Sequence, residues 1–499
     1  MQDIKKRELK IQAKRKSTPW RDFVKEIGSR VSFAFYPYRG EVSRYPMIGR
    51  ISSLVSNDEY MYQYEDIIKK SGQTITGQPV IDQFSSLFAK FTFPVTYQFF
   101  WCENTKYGDV IHDSKNVYLS FFVTTESENV LYSLSVKQKS ADILNSVLVV
   151  QNSQNVYSSS AVTNSYKIFF SKNISNCSDC RFSANLTWCK ECLLCNNLEN
   201  KQYCINNQHY TQAEYLAMKK ELLDAKEKYN QYYQQMLLLP FENYNSENSI
   251  WSCIIQSGNI KNGHYLLNVK DSKNICLIAS DKGAKNIYDS ILWWSGEVYD
   301  LYGSIGCGMC NNLYCCVQCG TCSKMYYSMF CENSSYCIWC IGLKNKQFFI
   351  FNKEYSKEEW FELANELFKQ MDADWSLWTF FPASMNPFYF NDTIAYVVDD
   401  SFTKDEVTQD GYLRRDDEIR TDIGGDSEII KVGDLEKYQC FDGEWNRRID
   451  PEILKKVIRD EKWNYYRIVK MEYDFLVKYA LPLPELHWLE RIKLGFKFK

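Results

Sequence analysis

The sequence predicts a mainly β protein: two tandem narrow parallel β-solenoids with 12–13-residue coils, each ending in a capping α-helix, with small α+β segments on the flanks. Three observations predict it. A short repeat of constant period runs through the middle of the chain, a longer segment containing that repeat occurs twice, and the same helix-start signal follows each copy.

The short repeat comes first. Ser114-Lys-Asn-Val, Ser127-Glu-Asn-Val, Ser140-Ala-Asp-Ile and Ser153-Gln-Asn-Val each begin 13 residues after the last. Farther on the period is 12, marked by cysteines: Cys177 to Cys189, Cys180 to Cys192 to Cys204, Cys307 to Cys319 to Cys331, and Cys310 to Cys322. Such a period is too short for a pair of helices and lacks the i, i+3, i+4, i+7 apolar pattern of one long helix. It fits one coil of a parallel β-solenoid with two short strands and two turns, Asn, Ser and Gly taking the corners. Equivalent residues then stack about 4.8 Å apart. Asn116, Asn129, Asp142 and Asn155 form one expected ladder, with Val117, Val130, Ile143 and Val156 filling the interior beside it.

The duplication follows. Asp113-Ser-Lys-Asn-Val recurs as Asp271-Ser-Lys-Asn-Ile, and Cys192-Leu-Leu-Cys195 through Tyr203 recurs as Cys337-Ile-Trp-Cys340 through Phe348. The copies span 84 residues (Asn116 to Asn200) and 71 residues (Asn274 to Asn345), so they differ by 13, one coil. Each then reaches a capping box, Thr211-Gln-Ala-Glu214 and Ser356-Lys-Glu-Glu359, in which a hydroxyl N-cap is answered by a carboxylate three residues later. Amphipathic helices are expected over about 211–236 and 356–371, placed to cover open strand edges.

These signals divide the chain into a basic-tailed α+β segment (1–100), a first solenoid with its helix (101–237), a second (238–371) and a C-terminal segment (372–499). The N-terminal segment includes an amphipathic helix over 82–92, and the C-terminal one opens with a run at 399–428 holding eleven acids and four bases, read as a solvated linker.

Composition narrows the function classes. Across 499 residues, 59 basic and 62 acidic side chains leave a net charge of −3, which gives no global attraction to nucleic acid or an anionic membrane. Hydrophobic residues make up 45% and aromatic residues 16%, so cores can be built and disorder is not the dominant state. The only histidines are His112, His209, His264 and His487, too few for imidazole-centred catalysis or a multi-His metal site. The basic start has no apolar stretch behind it, and no window has the ~18 apolar residues of a membrane span, so a cytoplasmic protein is expected. In that compartment the 19 cysteines are thiols or metal ligands rather than disulfides.

The chemically richest pattern is Cys177-x2-Cys180-x8-Cys189-x2-Cys192, echoed by Cys307-x2-Cys310-x8-Cys319-x2-Cys322. Four thiolates at this spacing can hold tetrahedral Zn²⁺. Equally, the step between the pairs is the coil length, which makes them successive rungs of a buried thiol ladder. Both readings stand at this level. No G-x-S-x-G, Walker or G-x-G-x-x-G phrase occurs, and the Gly303-Ser-Ile-Gly306-Cys-Gly308 run reads as solenoid corners. Trp293-Trp294 and Tyr326-Tyr327 are read as exposed aromatic pairs that cap the core or meet a partner.

Three stretches together carry a resemblance: Gln83 to Glu103 leading into Asp113-Ser-Lys-Asn-Val-Tyr-Leu; Leu343-Lys-Asn-Lys-Gln with Phe351-Asn-Lys-Glu-Tyr-Ser-Lys-Glu-Glu; and Tyr466-Arg-Ile through Leu481-Pro-Leu-Pro to His487 and Arg491. The chain resembles, over roughly 80–495, a family of cysteine-rich proteins encoded by bacteria of the candidate phyla radiation. The resemblance implies an Asn/Cys repeat flanked by treble-clef or zinc-ribbon segments and brings no activity with it. The chain departs from that pattern at His487 and Glu490, which stand where a Cys-x-x-Cys pair is expected.

The functional expectation is a non-enzymatic scaffold, with no catalytic residues and no cofactor, that binds a protein partner or a second copy of itself through its solenoid faces. The alternative is a zinc- or nucleic-acid-binding protein that uses the eight Cys-x-x-Cys residues above and the basic termini.

Overall fold

A left-handed residue at every third position shapes the backbone. In the computed structural model, positive φ recurs at Asn155, Ser158, Ala161, Asn164, Lys167, Phe170 and Asn173, and the same step runs from Val110 to Asn206. An αL residue turns the chain sharply, so four of them close a 12-residue coil. The residue after each turn faces the interior. Reading every third position along one coil and into the next gives Ser153, Val156, Ser159, Val162, Ser165 and Ile168, all buried.

The structure describes residues 7, 9–11, 13, 17–30, 75–91, 101–105, 107–223, 226–240, 254–255, 266–267, 272–273, 286–291, 302–303, 305, 311–314, 319, 321–374, 377, 380–386, 388–416, 427–441 and 447–496. It is mainly β, a β-solenoid of parallel sheets with 12-residue coils, and the chain separates into two units: 98–242 with 416–499, and 1–97 with 243–415.

In the unit of 98–242 and 416–499, one sheet of eight parallel strands runs from Asp109–Ile111 to Asn196–Glu199. The other runs from Ser114–Tyr118 to Gln202–Ile205 and ends in the antiparallel strand Gln208–His209. The register places Val117, Val130, Ile143, Val156, Ile168, Cys180, Cys192 and Cys204 in one column, as the repeat requires. The early 13-residue coils absorb their extra residue at a single corner, where two left-handed residues follow one another: Thr125-Glu126, Gln138-Lys139 and Gln151-Asn152. There the inward serine bonds a carbonyl three residues back (Ser140 Oγ to Lys137, 2.7 Å), whereas Ser165 in a 12-residue coil bonds one two back (Thr163, 2.7 Å).

The expected carboxamide ladder forms. Asn104 donates to Asn116 (3.0 Å), Asn116 to Asn129 (3.0 Å) and Asn129 to Asp142 (2.9 Å), while Asn155 accepts from the Tyr479 hydroxyl instead. At the last coil the side chain of Asn207 replaces a missing strand: its Oδ1 accepts from Asn196 N and its Nδ2 donates to Asn196 O, each at 2.9 Å. Thr211 and Glu214 then form their capping box at the start of Gln212–Leu222, and Lys219 of that helix reaches back to Asp179 and Glu191 at 3.0 Å each. The single helix expected over 211–236 is two, Gln212–Leu222 and Lys226–Leu238, because Leu223 leaves helical geometry.

Residues 427–441 and 447–496 form a small α+β segment packed on the second sheet. Trp488 stacks on Tyr132 (5.6 Å between centroids) and Phe475 on Tyr157 (5.8 Å). Between them, Arg491 pairs with Glu472 at 2.5 Å, both buried. His487 and Glu490 are structural here. His487 Nδ1 accepts from Leu489 N at the start of Trp488–Leu494, and Glu490 pairs with Lys462 and Lys493.

In the unit of 1–97 and 243–415, parallel strands again pair at 12-residue steps: Ile254–Ile255 with Leu266–Leu267, then Asn311–Leu313, Ser323–Tyr326, Ser335–Ile338 and Gln347–Ile350. Asp271 and Asn274 of the recurring phrase lie outside the described residues. Asn352 repeats the Asn207 device against Ile341 (2.9 and 2.8 Å), and Ser356 and Glu359 form the capping box of Lys357–Ala373. The amphipathic segment after Pro79 is helical over Val80–Phe88, and its Phe84 packs on Trp339 at 4.8 Å.

His487 gives this architecture a pH dependence. Burial, with the neighbouring Arg491 charge, pushes its imidazole down to about 4. An unfolded histidine titrates near 6.5, so between about pH 6.5 and 4 the unfolded chain takes up a proton that the folded chain refuses. Stability should therefore fall as pH drops through this window, by up to about 3 kcal/mol from this residue, and level off below it. Urea unfolding of His487→Asn, which keeps a cap acceptor, should show a correspondingly shallower loss than the parent between neutral pH and about pH 4.5.

Candidate functional site

The inward columns are of two kinds. Two per coil hold Val, Ile or Leu, and two hold Ser, whose hydroxyls link the coils. Ser133 N donates to Ser120 Oγ (3.0 Å), Ser146 N to Ser133 Oγ (3.1 Å) and Ser159 N to Ser146 Oγ (3.2 Å), and each hydroxyl donates in turn to the carbonyl two residues back. From residue 177 onward cysteine enters both kinds of column. Cys177, Cys189 and Cys195 take serine positions, and Cys180, Cys192 and Cys204 take valine positions. Cys177 Sγ even accepts from Cys189 N (3.2 Å) as a serine oxygen would.

This explains the Cys-x-x-Cys spacing. Inward positions recur every third residue, so Cys177 and Cys180 follow adjacent corners of one coil, Asn176 and Asp179, and Cys189 and Cys192 lie on the next coil in register with them. All four are buried, each with at most 4% of its surface exposed. Each thiol donates to the carbonyl two residues back, as the serines do: Cys177 to Ser175 (3.1 Å), Cys180 to Ser178 (3.6 Å), Cys189 to Thr187 (3.4 Å) and Cys192 to Lys190 (3.6 Å). In the other unit Cys319, Cys322, Cys331, Cys337 and Cys340 are likewise buried, and burial pushes Cys331 and Cys337 well up. Cys307 and Cys310 lie outside the described residues. Among the described residues, no group of three or more His, Cys, Asp or Glu is placed to hold a metal ion.

The aromatic pairs divide differently from expectation. Tyr326 and Tyr327 are buried rather than exposed: Tyr326 ends a stacked column of Tyr288, Tyr302, Tyr314 and Tyr326 (5.1, 4.9 and 5.3 Å), and Tyr327 stacks on Trp339 at 4.6 Å and donates to Leu377 O. Neither can stack an incoming base or sugar. Trp293-Trp294 and most of the 303–308 run lie outside the described residues. Among the described residues the exposed large aromatics are Trp101, Tyr166, Trp188 and Trp463, of which Trp188 and Tyr166 lie in the middle of the coils. Trp188, 59% exposed, takes the corner position that Asn164, Asn176 and Asn200 hold in other coils, and Tyr166, 44% exposed, opens the strand Tyr166–Phe169 two residues after the Asn164 corner. Sequence reading passed over both, although Trp188 replaces the Asn that this corner carries in neighbouring coils. At the start of the same unit, a groove of about 400 Å³ lies between Asn104, Tyr107, Asn116 and Tyr118 on the coils and Val469 and Met471.

Two outcomes follow from burial. A thiol reagent should label the exposed Cys440 and the half-buried Cys102 in the native state, and Cys177, Cys180, Cys192 and Cys204 only after denaturation, as read by mass spectrometry of the labelled peptides. Cys319→Ala should cost about 1–2 kcal/mol through lost burial and a small cavity, and a zinc chelator should leave the thermal melt unchanged. A chelator-induced collapse of the far-UV signal would instead assign Cys319 and Cys322 to a structural metal. No family model, curated protein or solved structure matches the chain.

Proposed function

We propose that the chain is a non-enzymatic scaffold whose coils form two tandem solenoids, each closed by the helix that follows its capping box, and that it works in the cytoplasm by binding a protein partner or a second copy of itself. The observation that carries this reading is a pair of exposed aromatics on the coils, Trp188 at a corner and Tyr166 at the start of the strand Tyr166–Phe169. Two aromatic side chains are held out to solvent on a ladder-braced backbone, among carboxamides. Both stay exposed, whereas Phe170 and Phe182, at a different corner, are buried against Tyr229. Aromatic anchors on a rigid surface lose little conformational entropy on binding, which is what interface hot spots require. Among the described residues no helix is long and apolar enough to cross a membrane.

The test is a photo-crosslinker at position 188 in the native cell. One discrete adduct is expected, either with the chain itself or with a single protein, and absent when the crosslinker is moved to Leu238, which is equally exposed on a helix end. Trp188→Ala should then weaken the isolated complex at least about tenfold, or about 1.4 kcal/mol. Identical adducts from both positions would sink the proposal.

A further inference from the structure

The sulfur inside the coils exceeds what packing asks for. At the valine-type positions, Val, Ile and Leu fill the same columns elsewhere in the unit, so Cys180, Cys192 and Cys204 give up buried volume there. At the serine-type positions, thiols are weaker acceptors than the hydroxyls they replace, so Cys177, Cys189 and Cys195 give up hydrogen-bond strength. What the two kinds of replacement share is only sulfur, concentrated in three successive coils. The ion that Cys-x-x-Cys pairs usually suggest asks for a different arrangement. Zinc needs four thiolates around one centre, with edges of about 3.8 Å for bonds of about 2.3 Å, and no three donors converge among the described residues. A linear link needs only two. Two bonds of about 2.3 Å in line span about 4.6 Å, close to the coil step of about 4.8 Å.

We propose that the stacked cysteines Cys180, Cys192 and Cys204, with Cys177 over Cys189 beside them, bind soft monovalent d¹⁰ cations such as Cu(I) as linear bis-thiolate links running along the solenoid interior. Soft thiolates select such ions over Zn²⁺, Mg²⁺ or Ca²⁺, and a water-free interior suits an ion that holds hydration weakly. The protons balance simply. A column of three thiols takes two cations and releases three protons, leaving one negative charge for the column, where two isolated two-thiol links would leave two. Entry is nearest at Cys204, whose coil is followed in its sheet only by the two-residue strand Gln208–His209.

The probe is Ag(I), which has the same charge and d¹⁰ configuration and no redox chemistry in buffer. Full-length protein, prepared without oxygen, is loaded in the presence of a competing small thiol and passed through gel filtration, and silver per chain is measured by elemental analysis. The comparison is the triple variant Cys180→Val, Cys192→Val, Cys204→Val, which places in these columns the residue that earlier coils use there. The parent should retain about two more ions than the variant, keep its far-UV signal and melt at higher temperature when loaded. Equal retention by the two proteins, or loss of the β signal on loading, overturns the proposal. X-ray absorption at the silver edge of the folded, loaded parent reads the coordination without any variant: two sulfurs per ion support the linear links, and three or four refute them.

Discussion

Everything in this structure depends on the left-handed residue at every third position. An L-residue pays about 1–2 kcal/mol in that conformation unless it is Gly or, at lower cost, Asn or Asp. The chain carries the conformation at Asn129, Asn155, Asn173 and Asn185, but also at Phe170, Phe182 and Trp188. The repayment comes from stacking. Once one coil has turned four corners, the next lies in register, and its N–H and C=O groups, inward serines and outward carboxamides all find partners on the coil before. No single coil is stable alone, and the ladder makes the expensive backbone cooperative.

The same constraint makes the core thin. Four inward side chains per coil leave room for Val, Ile, Ser or Cys and little else, so the interior cannot supply the buried area of a conventional domain. The outward faces make up the difference. Tyr132, Tyr157 and Phe169 are covered by Trp488, Phe475 and Tyr479 in one unit, and in the other Tyr326 and Trp339 are covered by Phe368 and Phe84. Aromatic residues are abundant because they bridge the coils to the segments that pack on them.

The proposed scaffold role and the proposed thiol links draw on different parts of the coils. Exposed side chains on a ladder-braced backbone have little entropy left to lose. The interior keeps its thiols out of water, and a soft donor set of that kind selects soft cations. Glu472 and Arg491, the buried ion pair beneath the C-terminal segment, fix how that segment sits on the coils: removing one partner would strand the other charge.

The sequence by itself determined the coil length, the Asn116–Asn129–Asp142 ladder, the valine column that continues through Cys180, Cys192 and Cys204, and both capping boxes. These follow from a fixed register between neighbouring coils, so a period in the sequence is a distance in space. The three-residue inward step was also legible, in Ser153-x2-Val156-x2-Ser159-x2-Val162, but it emerges only when each corner is known to be left-handed. Only the tertiary structure decided which outward residues are covered: Tyr326 and Tyr327 are buried while Tyr166 and Trp188 are not, and His487, where the chain departs from the resembled Cys-x-x-Cys pattern, caps a helix. Those outcomes rest on segments far along the chain, Leu377 above Tyr327 and Arg491 beside Tyr157, and a local repeat carries no record of what folds back onto it.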